Sequence, residues 1–332
     1  MKKVFRACLV GFGKIAYGYE QNQKYIKEFP IPTHYRAVQG FENIMLDTII
    51  DKDISVLENV KKETQIKYTG RNIEEISNKE EIDILIISCP PIKNKLDLIK
   101  SFPNIKGLVL EKPIGRSIAE SIEIANYVKL NNIKAQVAYL RRFDNFILSL
   151  CSKKIQELIG DPQSIQIIYG NGLMNNGSHM LDLVRMLFGE FQSTIKATIS
   201  DINTSVLDYD LNISCVLKTK TGINVSLLPI DFNFYRENSV DIWGTKGRLA
   251  FNQEGSYFNN WDVKNSRFGD EYNEINWMKP KISGKTELGH SIKNIYSNLI
   301  SSIENKSDLL SPLSSAIKTQ ELIDSIFQNA KK

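Results

Sequence analysis

The chain of 332 residues contains few of the residue types that build metal or disulfide sites. It has three histidines, His34, His179 and His290, and four cysteines, none of which forms a C-x-x-C pair. The sequence therefore predicts reduced, mostly buried thiols in a cytoplasmic protein and no structural metal site.

Long apolar runs and a strong charge of one sign are also missing. No stretch approaches the roughly 18 apolar residues that a membrane-spanning helix needs. The 42 basic and 38 acidic residues leave a net charge of +4, which is too small to indicate binding to nucleic acid or to a membrane surface. Arg6 interrupts the first apolar run, and no cleavage site follows it, so we interpret the N-terminus as a strand rather than a targeting segment.

The patterns that are present divide the chain into two predicted domains, as expected for its length. Strand and helix patterns alternate over residues 1–142, which predicts an α/β Rossmann domain with a doubly wound parallel sheet. Residues 143–332 instead combine helices with several successive strands and hairpin turns at 221–222 and 244–247. They predict an α+β domain with a mostly antiparallel, open sheet that binds substrate and mediates oligomerisation.

A glycine-rich turn follows the first predicted strand. Residues 11–16 read Gly-Phe-Gly-Lys-Ile-Ala, the G-x-G-x-x-A pattern. The first glycine permits a tight turn, and the second lets a pyrophosphate approach the backbone at a helix start. Gly18, Pro30 and Pro32 then interrupt the expected helix, which indicates a broken helix or an inserted loop, with Thr33 capping a new helix from His34.

An acidic residue ends the second predicted strand. Asp51 lies 40 residues after Gly11, against the usual distance of about 20, and the insertion accounts for the excess. A carboxylate here can bind the adenosine ribose hydroxyls of NAD. The adjacent Lys52 instead favours the 2′-phosphate of NADP, so both cofactors remain open, as does a simple turn role for Asp51.

A short apolar strand ends at Glu111, Lys112 and Pro113. Proline ends the strand pairing, and ligands of open α/β sheets bind beyond the carboxyl ends of strands. Lys112 is therefore placed to reach a bound small molecule. The alternative is a solvated ion pair of Glu111 and Lys112.

A second constellation surrounds His179. Asn171, Asn175 and two glycines precede an apolar run, which predicts a helix start. In the first helical turn the dipole disfavours imidazolium, and a neutral imidazole is what a general base requires. Asp182, three residues on, can orient the ring. A buried structural histidine is the alternative interpretation.

These segments together resemble the glucose-fructose oxidoreductase/inositol dehydrogenase/MocA (Gfo/Idh/MocA) family over nearly the whole chain. Residues 111–113 match its E-K-P signature, 177–182 match its G-x-H-x-x-D segment, and 244–247 match its late glycine turn. The resemblance implies that Lys112 hydrogen-bonds a reacting hydroxyl, that His179 accepts its proton, and that a hydride passes to or from the nicotinamide of NAD or NADP.

The motifs and the resemblance together define the expected site residues. Expected cofactor contacts are Gly11, Phe12, Gly13, Lys14, Ile15, Asp51, Cys89, Pro90, Glu111 and Lys112. Expected substrate contacts are Asn175, Arg142, Tyr169 and Asn171, with Arg141 and Arg185 as further candidates for either ligand.

Two positions depart from the family pattern. Asn175 replaces an aspartate four residues before the histidine, and Asn94 replaces a histidine after the fourth strand. The sequence therefore leaves the substrate open, and we expect a sugar or sugar derivative, either free or nucleotide-linked, with a surface-polysaccharide pathway as one source. The alternatives are a non-catalytic regulator that senses a dinucleotide or sugar, and a dehydrogenase of a non-sugar alcohol such as a dihydrodiol. We expect a homodimer or homotetramer.

Overall fold

The computed structural model describes residues 3–89, 92–151, 154–202, 205 and 209–330. Pro90, an expected cofactor contact, lies outside these residues. The chain forms two compact units. The first unit comprises residues up to Phe143 together with Gly289–Ile317, and the second comprises Asp144–Leu288 together with residues from Lys318 onward. The sequence did not indicate that residues 289–317 return to the first unit.

The first unit is built on a six-stranded sheet. Its strands are β1 (Phe5–Val10), β2 (Ile44–Ile50), β3 (Tyr68–Gly70), β4 (Ile84–Ile87), β5 (Gly107–Leu110) and β6 (Lys134–Val137). Their order is β3-β2-β1-β4-β5-β6, and every pair is parallel. This order confirms the predicted Rossmann fold.

Helices cover both faces of this sheet. They are α2 (His34–Gln39), α3 (Ile54–Glu63), α4 (Lys95–Lys100), α5 (Ile118–Leu130) and α9 (Ser291–Ile303), while the short helix α1 (Gln23–Glu28) has no buried residue. Alternate residues of β1 enter two different apolar cores, Ala7 and Leu9 one and Cys8 and Val10 the other. The central strands are therefore buried on both faces, which explains why they are continuous apolar runs.

The predicted insertion at residues 17–32 interrupts a helix, which then continues beyond it. The backbone N–H groups of His34 and Tyr35 donate to the carbonyls of Ile15 and Ala16. Helix α2 thus continues the turn that begins after the glycine-rich segment, and the Thr33 hydroxyl caps α2 by accepting from Arg36 N. The predicted cap and the predicted helix from His34 are confirmed.

The second unit contains a nine-stranded sheet. Its strands are β7 (Pro162–Tyr169), β8 (Phe191–Ile199), β9 (Ile213–Thr219), β10 (Asn224–Pro229), β11 (Ser239–Gly244), β12 (Gly247–Asn252), β13 (Tyr257–Ser266), β14 (Gly269–Ile275) and β15 (Ile282–Lys285). The order is β14-β13-β12-β11-β7-β10-β9-β8, with β15 paired to β13. Only β7 and β10 run parallel among these pairs, so the mostly antiparallel prediction is confirmed, although β13 to β15 were not predicted.

One face of this sheet carries the core of the second unit. The helices of the unit are α6 (Asn145–Leu150), α7 (Lys154–Ile159) and α8 (Ser178–Phe188), and the second unit also holds the C-terminal part of α10 (Leu313–Ala330). Strand residues such as Ile165 and Ile167 are fully buried with Leu181 of α8 and Ile326 of α10. In the described part of the second unit the opposite face carries exposed side chains such as Val216 and Leu228, as expected for the predicted open sheet. No helix in the described part of the chain is long and apolar enough to cross a membrane.

A buried polar network ties α8 to α10. The Arg185 guanidinium donates to Glu190 through Nε (2.9 Å) and Nη2 (2.7 Å), and to the Thr319 hydroxyl through Nη1 (2.5 Å). Thr319 in turn donates to Asp182 (3.0 Å). Arg185 and Asp182 are almost fully buried. Arg185, which the sequence suggested as a ligand contact, is therefore an interior residue of the second unit.

We expect Arg185→Met to lower the free energy of unfolding of the second unit by about 3–5 kcal/mol, because it removes the cation that faces buried Asp182. Urea denaturation followed by far-UV circular dichroism measures the effect. Lys318→Met is the matched control, since the Lys318 ammonium lies 3.5 Å from Glu190 but its side chain is 56% exposed. It should change stability by no more than about 0.5 kcal/mol. Equal effects of the two substitutions would contradict the assignment.

Candidate active site

The carboxyl ends of three neighbouring strands meet along one line of the first sheet. Val10 of β1 is opposite Ile87 of β4, which is opposite Leu110 of β5. The residues that follow each strand therefore lie side by side. Ser88 bridges two of these strand ends, because its hydroxyl donates to the Gly11 carbonyl (2.6 Å).

The two glycines of the turn have different structural reasons to be glycine. Gly11 has φ +84°, and a Cβ there would lie 2.6 Å from the Cβ of Cys89. Gly13 is exposed, and apart from Gly13 itself and its chain neighbours no described atom lies within 4 Å of where its Cβ would be. Gly11 is thus required by the fold, whereas the open space at Gly13 fits the approach of a pyrophosphate group.

Asp51 braces this turn from the end of β2. One carboxylate oxygen accepts from Phe12 N (2.6 Å), and the other accepts from Asp53 N (2.9 Å). Each oxygen retains acceptor capacity, so a ribose hydroxyl could still bind. The sequence left both a ligand role and a turn role open for Asp51, but it did not indicate the bond to Phe12 N that supports the loop.

The remaining residues of the turn are divided between surface and interior. Lys14 is exposed and Ile15 is half-buried. The Phe12 ring is buried and stacks on Tyr17 at 4.9 Å between centroids. The Tyr17 hydroxyl donates to Glu63 (2.9 Å), and burial together with that carboxylate raises the pKa of Tyr17 to about 12. Phe12 therefore anchors the loop through its ring, and its backbone N–H is already bonded to Asp51.

A buried hydrogen-bonded chain leads from Glu111 into the interior of the first unit. His34 Nε2 lies 3.2 Å from Glu111 Oε1, and His34 Nδ1 lies 2.7 Å from the hydroxyl of Tyr296. A neutral ring with its proton on Nε2 lets Tyr296 donate to Nδ1 and lets His34 donate to the carboxylate. Burial, and to a lesser extent Glu111, raise the pKa of Tyr296 well above its ordinary value, which keeps the phenol protonated.

Lys112 follows Glu111 immediately and is half-buried. The chain that holds Glu111 therefore also restrains the backbone before Lys112. Cys89 is half-buried beside the glycine turn, and burial raises its pKa, so it is a packing thiol rather than a thiolate at neutral pH. The long-range partners His34 and Tyr296 carry no sequence signal that links them to Glu111.

In the second unit a π-helical turn, Leu173–Gly177, precedes α8 and His179. Asp210 is fully buried, and its carboxylate accepts from Met174 N (2.9 Å) and Asn175 N (2.9 Å). Gly172 has φ +92°, and a Cβ there would lie 1.9 Å from Asp210 Oδ2. The sequence did not identify Asp210, since it reaches this turn from 35 residues away in the chain.

The expected ligand residues differ in how accessible they are. His179, Asn175 and Asn171 are half-buried at or near the start of α8. Tyr169 is fully buried, and its hydroxyl donates to Ile213 O (2.9 Å) and accepts from Ile213 N (2.7 Å). Tyr169 therefore belongs to the core of the second unit, and we do not propose it as a substrate contact.

The two arginines after β6 belong to the first unit. Arg142 is half-buried, and its Nη1 lies 3.5 Å from the carbonyl of Leu310. Arg141 is 5% exposed. Arg142 thus has the accessibility that a ligand contact requires, whereas Arg141 is an interior residue.

The contrast between the two glycines gives a test of the cofactor loop. Gly13→Ala should leave thermal unfolding unchanged but weaken NADH binding by at least about tenfold, because its Cβ would occupy only the space that the pyrophosphate needs. Gly11→Ala should also destabilise the fold, since its Cβ would collide with Cys89. NADH fluorescence titration and differential scanning calorimetry measure the two effects. Wild-type NADH affinity in Gly13→Ala would contradict this placement of the cofactor.

The comparisons with known proteins agree with the fold of both units. Residues 5–139 match the model of the oxidoreductase family with an NAD-binding Rossmann fold, and residues 168–332 match the model of its C-terminal alpha/beta domain. The chain is 24% identical over 211 residues to scyllo-inositol 2-dehydrogenase (NAD(+)) of Bacillus subtilis, a match that covers 64% of this chain and 54% of that protein.

Solved structures with the same fold extend over nearly the whole chain. The WlbA dehydrogenase of Bordetella pertussis in complex with NADH and UDP-GlcNAcA has a TM-score of 0.71 at 16% identity, covering 99% of this chain and 97% of that one. The super-repressor mutant of Gal80p of Saccharomyces cerevisiae has a TM-score of 0.74 at 15% identity, covering 99% and 96%. Both halves of the sequence and both units of the fold thus lead to one assignment: the chain belongs to the Gfo/Idh/MocA family of NAD-binding oxidoreductases.

Proposed function

We propose that this oxidoreductase transfers a hydride between NAD and a hydroxyl-bearing carbon of a sugar or sugar derivative. The observation that carries the proposal is the position of Lys112. It follows Glu111, the first residue after β5, at the carboxyl ends of the strands that also carry the glycine turn. A cation at the carboxyl ends of these strands can stabilise a substrate oxygen that becomes an alkoxide during the reaction.

The roles proposed for the two catalytic side chains follow from charge balance. Oxidation of an alcohol removes a hydride from carbon and a proton from oxygen, which leaves a carbonyl. The Lys112 ammonium stabilises the developing alkoxide, and the His179 imidazole accepts the proton and becomes imidazolium. The bound nicotinamide supplies the hydride acceptor, or the hydride donor in the reverse direction.

The preference for NAD over NADP rests on Asp51. Its carboxylate lies at the end of β2 beside Phe12 N, where it would repel a 2′-phosphate and accept from a 2′-hydroxyl. Lys52 is exposed next to it and is the residue that would favour NADP if the lysine side chain turned toward the ribose. Competitive titration with NADH and NADPH distinguishes the two.

The substrate class is inferred from relatives and from the polar residues proposed as substrate contacts in each unit. One relative is named for scyllo-inositol, and one solved structure of the same fold holds a nucleotide-linked sugar acid. Asn171 and Asn175 offer amide donors and acceptors for ligand hydroxyls, and Arg142 offers a cation for an acidic or phosphorylated group. A polyol or sugar, free or nucleotide-linked, fits these groups.

We expect Lys112→Ala and His179→Ala each to reduce kcat by about 10²–10⁴ while NADH binding persists. Turnover is measured by NADH absorbance across a panel of inositols, aldoses and UDP-linked sugars. Lys129→Ala and His290→Ala, which alter exposed residues of the same types, should leave kcat unchanged. Near-normal turnover in both site variants would refute the assigned roles.

A regulatory role on the same fold is the second candidate. One solved structure of the same fold is a super-repressor mutant, and Asn175 replaces the aspartate that family members carry. This candidate predicts NADH binding, no turnover on the whole panel, and a protein partner in pull-down. Turnover of a dihydrodiol but of no sugar would support the third candidate, a non-sugar alcohol dehydrogenase.

We further propose that the open sheet face of the second unit forms a homo-oligomer interface. Val216 of β9 and Leu228 of β10 are 36% and 41% exposed on that face. Arg248 of β12 lies between its cross-strand neighbours Trp243 and Trp261, with its Cζ 4.8 Å and 4.7 Å from their ring centroids. Such an apolar and aromatic surface is typical of subunit contacts.

We expect Leu228→Glu to convert the oligomer to a monomer in size-exclusion chromatography with multi-angle light scattering, since it buries a charge in the contact. Ile122→Glu is the matched control because Ile122, on α5 of the first unit, is also 41% exposed. It should leave the mass unchanged. A monomeric wild type, or an unaltered mass for Leu228→Glu, would exclude this interface.

A further inference from the structure

A second lysine lies beneath the turn that carries Lys112. Lys95, the first residue of α4, is 1% exposed. Its ammonium donates to the carbonyl of Ile114 (2.6 Å) and to that of Pro113 (3.2 Å). Both carbonyls belong to the turn that leaves β5 immediately after Lys112.

The charge of Lys95 is expensive to keep in this environment. Burying an ammonium costs several kcal/mol even after relaxation, and its two acceptors on the turn are backbone carbonyls rather than a carboxylate. A methionine would fill a similar volume without that cost. The buried cation is therefore better explained by a restraint on the turn at Pro113 and Ile114 than by a contribution to the stability of the first unit.

The turn between β5 and α5 is where this restraint acts. The ladder of β5 extends to Glu111, whose N–H donates to Ile87 O (2.9 Å). Helix α5 is capped from Ser117, whose hydroxyl accepts from Glu120 N (3.1 Å). The two bonds from Lys95 fall between these points, on the residues that set the direction of the chain after Lys112.

We propose that Lys95 is a positioning residue that fixes the turn after Lys112 and thereby sets where the Lys112 ammonium lies relative to the bound cofactor. This inference rests on the proposed role of Lys112. Lys95 itself, at 1% exposure, lies beneath the surface and acts through the backbone rather than by touching a ligand.

The direct test is hydrogen–deuterium exchange of the full-length protein, with Lys95→Met compared with wild type. Two lost hydrogen bonds predict that exchange in the peptide covering residues 111–117 accelerates by about tenfold or more, because each bond contributes about 1 kcal/mol. The peptide covering β4 should be unchanged. Lys100→Met, in the same helix but exposed, should match wild type in both peptides.

Turnover gives the functional readout, on a substrate that the wild type oxidises. Lys95→Met should lower kcat several-fold while NADH affinity persists, as expected for Lys112→Ala, and Lys95→Gln, which retains an N–H donor, should recover part of both the turnover and the protection. Wild-type exchange at 111–117, accelerated exchange throughout the first unit, or local acceleration with unchanged turnover would each overturn the proposal. If Lys112→Ala retains full turnover, the role of Lys112 fails separately, and the exchange data still decide whether Lys95 holds the turn.

The pH dependence of stability tests whether Lys95 is charged when buried. Burial lowers the pKa of Lys95, and the neighbouring Cys89, Glu120 and Glu111 act in the opposite direction. The unfolded chain therefore binds more protons than the folded chain between the lowered pKa and the ordinary lysine value, so stability rises with pH across that window. Wild type should show this rise relative to Lys95→Met. If stability depends on pH in the same way in wild type and Lys95→Met, then keeping Lys95 charged costs no free energy in the folded state. That result would remove the argument for a functional restraint.

Discussion

The common register of β1, β4 and β5 is the constraint on which the first unit depends. Parallel strands that end on the same line place the residues that follow them side by side, whatever their separation in sequence. Val10, Ile87 and Leu110 form that line. The glycine turn and the Glu111–Lys112 pair are neighbours for this reason, and a shift of one residue in any strand would turn their side chains to the other face.

Buried polar groups near the carboxyl ends of these strands form hydrogen bonds with residues from distant parts of the chain. Tyr296 returns in α9 to contact His34, and His34 contacts Glu111. Lys95, at the start of α4, donates to the carbonyls of Pro113 and Ile114 in the turn after Lys112. In a region of low dielectric a buried polar group without a partner costs free energy, and a buried polar group with a partner restricts the local conformation. The same interactions that satisfy these groups therefore also limit the conformations open to residues 111–114.

Features of the fold that depend only on residues close together in the chain could be predicted from the sequence. The G-x-G-x-x-A turn, the Thr33 cap and the apolar runs of the parallel strands could be predicted because backbone conformation and burial leave periodic traces in sequence. Strands β13 to β15 were missed because their residues are largely polar or exposed and lack a clear alternation. The substrate role predicted for Tyr169 lost its basis because burial and the bonds to Ile213 depend on a strand pairing that the sequence does not encode locally.

Asn175, which stands where the resemblance to the family leads us to expect an aspartate, shows how a single motif position can mislead. Taken alone, the substitution removes a negative charge from the turn before His179. The structure supplies a carboxylate there from Asp210, which binds the backbone N–H groups of Met174 and Asn175. Because these N–H groups lie at the positive end of the helix that follows, the anion is favourably placed. The turn therefore does not need an anion at position 175, and the half-buried amide of Asn175 is suited to recognising hydroxyl groups rather than to supplying charge.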